Sequence, residues 1–122
     1  MKVSRSIARI AAKAPRRPSD IRGIRVVALS MFNGNVVAVR ANSRGSGECS
    51  QYSHHAEERA AKAMRGYGWW DIVVLRFRKD GSLGMAKPCL GCDKILKKAG
   101  VDKVQYSTGQ GDELCSYLFS QP

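Results

Sequence analysis

The chain has 122 residues, 43% of them hydrophobic, with two Trp, four Tyr and three Phe. That composition fits one globular domain spanning residues 1–122 and excludes a disordered chain or two domains. The 21 Lys and Arg against 10 Asp and Glu give a net charge of +11, an excess that favours polyanionic partners and leaves the fold unspecified.

Taken in order, Val3, Ile7, Ile10, Ala11 and Ala14 fall on one stripe of a helix, with Arg5, Arg9, Lys13 and Arg16 off it. Pro15 and Pro18 stop that helix. The first 17 residues carry six basic and no acidic side chains, a faint likeness to a mitochondrial transit peptide that an ordinary basic helix explains better. The start Met1-Lys2-Val3-Ser4-Arg5 has no apolar signal core, and no apolar run approaches the roughly 20 residues that cross a bilayer. A cytoplasmic protein without a membrane span is therefore expected.

Residues 24–31 and 36–41 are rich in β-branched side chains and flank Asn33-Gly34. A turn of that type between two such runs predicts an antiparallel hairpin. Residues 43–48 form a loop. An Ala-rich helix then runs from about Ser53 to Arg65 and stops at Gly66. A short apolar strand covers 72–78, Asp80-Gly81 turns the chain, and a further helix runs from about Cys89 to Ala99, ended by Gly100. Residues 101–106 form a fourth strand, and the tail 112–119 is expected to make one short helix. Strands alternating with helices predict an α/β fold with helices on both faces of a mixed sheet. Right-handed crossovers make the third and fourth strands parallel neighbours.

The residues that carry chemistry are His55-Ala56-Glu57 and Pro88-Cys89-Leu90-Gly91-Cys92, with thirty residues between Glu57 and Pro88. Of the four cysteines, Cys49 and Cys115 have no motif partner and read as ordinary thiols. C-x-x-C spacing in a reducing compartment suits metal ligands, although alone it is equally a redox pair, half of a four-ligand zinc site or two core thiols. Each half of the motif starts a helix. Cysteines at i and i+3 share one helical face, and a helix N-terminus favours thiolate over thiol. Pro88 suits a helix start, where no N–H is needed. His55, Cys89 and Cys92 together supply three zinc ligands and leave a fourth position for water, the arrangement of a catalytic rather than a structural zinc. A four-ligand site that adds His54 is disfavoured, because adjacent helical residues diverge. Glu58 lies about 100° around the helix from Glu57 and reads as a surface residue.

These two segments resemble the signature H-x-E…P-C-x-x-C of the zinc-dependent nucleobase and nucleotide deaminases. The element order is similar to the cytidine deaminase-like fold, a three-layer α/β/α sandwich, over nearly the whole chain. This chain looks like a minimal form, because many relatives continue through a further helix and strand. The resemblance implies one catalytic Zn2+ held by His55, Cys89 and Cys92, with Glu57 as general acid/base. The His-Ala-Glu form is less like the free-cytidine deaminases, which usually carry Cys in the His position. It is closest to small polynucleotide cytosine deaminases of the APOBEC type. On that likeness Asn42 contacts the sugar or base and Tyr106 packs on the target nucleotide; Ala56 and Arg44 are further substrate-binding candidates. Ser107 stands where those enzymes often carry Asp, so their sequence-context preference does not transfer.

The loop basic residues Arg40 and Arg44 are also candidates for phosphate contact on their own chemistry. Trp69-Trp70 reads as core packing first and as a base-stacking pair second. The expected activity is conversion of cytosine to uracil in single-stranded nucleic acid, DNA favoured, by a monomer or small homo-oligomer. Free cytosine nucleosides or nucleotides, adenine in nucleic acid, and non-catalytic nucleic-acid binding are the alternatives.

Overall fold

A computed structural model of the chain describes residues 5–12, 25–41, 52–78, 82–88, 90–111 and 113–119. Three helices, α1 (Arg5–Ala12), α2 (Tyr52–Ala63) and α3 (Leu90–Lys98), accompany strands β1 (Arg25–Phe32), β2 (Asn35–Ala41), β3 (Trp70–Phe77), β4 (Leu83–Gly84), β5 (Val101–Ser107) and β6 (Leu114–Leu118). They form a mixed α/β fold around one six-stranded sheet in the order β2-β1-β3-β5-β6, with β4 paired to β3.

The hairpin forms where Asn33-Gly34 predicts it. Asn33 and Gly34 have φ of 52° and 79°, the left-handed pair that a two-residue turn needs. β1 then pairs in unbroken register with β3, from Arg25 opposite Phe77 to Met31 opposite Asp71. The β1–β2 register shifts between Ser30 and Met31. At that bulge the buried Ser30 hydroxyl donates to the carbonyl of Ala60 at 3.1 Å, tying β1 to α2.

β3 is the centre of the molecule. Ile72, Val73, Val74 and Leu75 are all fully buried, as expected of a strand covered on both faces, and this is why the segment reads as a continuous apolar run. Val26, Ala28, Ile72, Val74 and Val104 face α2 and α3 through Ala56, Ala60, Met64 and Leu96. Val27, Leu29, Val73 and Leu75 face the other way, against Ala11 and Ile7 of α1. Alternation along each strand thus sorts the side chains into two cores, with one helical layer over each.

β3 and β5 run parallel, from Trp70 opposite Val101 to Val74 opposite Tyr106. The Trp pair divides between core and surface. Trp70 is core, and its indole N–H donates to the Ala99 carbonyl at 2.9 Å; Trp69 is 68% exposed. Gly100 ends α3 at φ 92°, and a Cβ there would stand 2.5 Å from the Gly68 carbonyl oxygen. That contact locks the start of β3 against the end of α3.

The expected tail helix is a strand. β6 lies antiparallel on β5, with Tyr106 opposite Cys115 and Ser107 opposite Leu114. A helix for 112–119 would have left the outer edge of β5 unpaired. The tail alternates instead, with Leu114 turned to the α1 side and Tyr117 to the α2–α3 side. A cross-strand partner outweighs weak local propensity here. Among the described residues no helix is long and apolar enough to cross a membrane.

Candidate functional site

α2 and α3 follow the same course: each runs back along the sheet and hands the chain to one of the parallel strands β3 and β5. Their first turns therefore lie at the same end of the sheet, where β3 and β5 finish, and the helices pack against one another. α2 approaches closely because its inner face is built from Ala56, Ala60 and Ala61. On that face, in the second turn, Glu57 is fully buried. Withdrawing a carboxylate from water costs several kcal/mol unless something in the site compensates, so packing alone would not select it. Its neighbour Glu58 points out and pairs with Lys62 at 3.7 Å.

The approach to α3 is built by a second set of ties. The Arg76 amide donates to the buried Ser107 hydroxyl at 3.2 Å, and that hydroxyl donates to the Gly84 carbonyl at 2.6 Å. The Ala86 amide donates to the Ser107 carbonyl at 2.9 Å, and Met85 bridges Thr108. Ser107 thus braces β4 between the ends of β3 and β5 and delivers the buried Pro88 to the start of α3.

Asp93, in the first turn of α3, accepts a 2.5 Å hydrogen bond from the Tyr117 hydroxyl. The Tyr117 ring sits 6.0 Å from Tyr106 and 5.4 Å from Phe119. Burial, the hydrogen bond to Asp93 and the negative charges of Asp93 and Glu57 hold the Tyr117 hydroxyl well above the usual phenol range. It is a fixed donor at any working pH. The Tyr117 ring packs against the same core cluster that contains Ala56, the neighbour of Glu57. Burial, with the Cys115 thiol second, raises Tyr106 as well.

Of the residues predicted from sequence, the structure brings Glu57 and Tyr106 to this end. Ala56 is fully buried in the core beside Glu57. His55 and Cys92 lie in α2 and α3, but their side chains are outside the described residues, as are Cys89, Asn42 and Arg44 altogether. Ala41, which ends β2, accepts from Arg59 of α2 at its carbonyl, at 3.2 Å. Asp93 and Tyr117 escaped the sequence reading. The period-two alternation of the tail was the available signal for Tyr117, and the acidic first turn of α3 was the signal for Asp93.

The chain matches no protein-family model and no curated protein.

Proposed function

We propose that this chain is a zinc-dependent hydrolytic deaminase with the cytidine deaminase-like fold, converting cytosine to uracil in single-stranded nucleic acid, DNA favoured. The observation that carries the reading is Glu57: a fully buried carboxylate two residues from His55, on the helix packed beside the one that holds Cys92. A fully buried carboxylate is costly to keep for packing alone, and carboxylates in such environments cluster at reactive sites.

His55, Cys89 and Cys92 would hold the metal. The donor set fits zinc, since two thiolates and an imidazole are its preferred ligands, and α2 and α3, the helices in which His55 and Cys92 lie, pack against one another. When bound, zinc supplies a water acidic enough to ionise near neutral pH. The remaining work falls to the chain. Glu57 takes one proton from the water as its oxygen bonds to C4 and delivers it to the ring nitrogen N3; it then takes the second proton from the new C4 hydroxyl and passes it to the exocyclic amine as the C4–N bond breaks. Cytosine and water thereby become uracil and ammonia. Tyr106 would pack on the target nucleotide, while Asn42 and Arg44 would contact base, sugar and phosphate. The Tyr117–Asp93 bond holds the first turn of α3, and with it the ligand positions, in place.

The test is to incubate zinc-loaded protein with cytosine-containing single-stranded DNA, the matching RNA, and deoxycytidine monophosphate. Uracil in the DNA is the expected product. Conversion of the monophosphate with both oligonucleotides untouched overturns the polynucleotide reading, and no product from any of the three overturns the deaminase.

A further inference from the structure

At the other end of α2 and α3 the surface is shaped and charged in a way the proposed chemistry does not use. A groove of about 580 Å3 opens between the last turns of the two helices, with Lys62 and Arg65 on one bank and Lys98 on the other. Lys62 also borders a second hollow, of about 320 Å3, that it shares with Arg40 and Arg59. The two hollows thus lie on either side of one lysine. They form a track that climbs α2 from its C-terminal end to the end of β2, beside Ala41.

The charge on this track exceeds what the helices need. Cations near a helix C-terminus offset its dipole of about half a negative charge, which accounts for Lys62 and Lys98. It does not account for Arg40, which comes from β2, or for Arg59 in mid-helix. Among the described residues that line the two hollows, Glu58 is the acidic one. Setting Glu58 and the two helix dipoles against the five cations leaves roughly three net positive charges along the track. Such a surface selects a flexible polyanion over a single small anion, because the charges are spread along a line. Trp69, 68% exposed, directly follows the groove residue Gly68, and an exposed aromatic beside cations is what an unpaired base stacks on.

We infer that the groove between the C-terminal ends of α2 and α3, continued over Lys62 to Arg40 and Arg59, is a binding track for the sugar–phosphate backbone of single-stranded nucleic acid. The inference deepens the proposed function, on which it rests, by giving the strand a second site remote from the reacting base. From His55 to Met64 the helix rises roughly 14 Å, a distance that a strand of a few nucleotides covers. The track thus holds nucleotides flanking the one in the pocket and makes affinity depend on strand length.

The experiment uses the full zinc-loaded chain and a fluorescently labelled oligothymidylate, which contains no cytosine and reports binding without turnover. The double variant Lys62→Glu/Arg65→Glu is compared with Arg5→Glu/Arg9→Glu, which makes the same charge change on exposed residues of α1 in the opposite layer. The groove variant is expected to bind at least tenfold more weakly. Its slope of log affinity against log salt should be shallower by about 1.4, the loss of two phosphate contacts to a single strand. The α1 variant should keep both affinity and slope within about a factor of two. Equal weakening in the two variants assigns binding to net charge and overturns the track, as does unchanged binding in the groove variant. If the glutamates unfold the protein, Lys62→Gln/Arg65→Gln reads the same slope. Salt-dependent binding lost in the groove variant, with no uracil ever formed from a cytosine oligonucleotide, overturns the proposed function and leaves the track standing.

Discussion

Replacing Tyr117 with Phe removes one oxygen and leaves the ring in its contacts with Tyr106 and Phe119. What is lost is the 2.5 Å hydrogen bond to Asp93. Hydrogen bonds to charged groups contribute about 1.5–3 kcal/mol. Both partners here are only partly buried, so about 1–2 kcal/mol is expected, or roughly 4–8 °C in melting temperature for a domain of this size. The pH dependence is more diagnostic than the size. The Tyr117 hydroxyl is raised above its ordinary value of 10.0 in the folded protein. Below pH 10 it is protonated in both states, and its contribution is fully present. As pH rises beyond 10 the unfolded chain ionises while the folded one does not, so stability falls by about 1.4 kcal/mol per pH unit from this group. Tyr117→Phe has no such group. Urea unfolding of both proteins, followed from pH 7 to pH 11, should show a gap that is constant to about pH 9 and closes near pH 11. A gap that stays constant throughout, or no gap at pH 7, would refute the coupling of β6 to the first turn of α3.

Other perturbations test the frame around the site. Gly100→Ala should destabilise by more than about 2 kcal/mol, since positive φ costs about 1–3 kcal/mol and the new Cβ meets the Gly68 carbonyl at 2.5 Å. Gly34→Ala, also at positive φ but with nothing within 4 Å, should cost about 1 kcal/mol; equal costs in thermal denaturation would contradict the packing at Gly100. Ser107→Ala strips partners from the Arg76 amide and the Gly84 carbonyl and should lower stability by about 2 kcal/mol in urea titration. Chelation of zinc should abolish deamination and lower the urea midpoint, and restored zinc should recover both. Full activity in metal-free protein, with metal content measured by atomic emission, would remove zinc from the account.

The fold was legible wherever local pattern and tertiary demand agree. Asn33-Gly34 announced the hairpin, and Gly66 and Gly100 marked the helix ends. The unbroken apolar run of β3 announced a strand buried on both faces. β6 was not legible, because its reason for being a strand is the open edge of β5, which local propensity cannot see. β4 is two residues long and exists through the Ser107 hydroxyl, a contact between distant parts of the chain. The division of Trp69 from Trp70 follows from where β3 begins, which the sequence leaves uncertain by a residue or two. Of the candidate site, Glu57 stands out in the sequence by its place two residues after His55, and what the structure adds is its burial. Tyr117 and Asp93 were not readable as a pair, because only the strand pairing of the tail brings them together.

Deamination of a single-stranded cytosine oligonucleotide by the wild-type chain and by Glu57→Gln, with zinc measured in both, tests the central claim most directly. The substitution keeps the size and burial of the side chain while removing its ability to carry a proton. Loss of turnover by roughly two to four orders of magnitude, with one zinc per chain retained in each protein, is the predicted result. Equal uracil formation by both proteins at equal zinc content would contradict it.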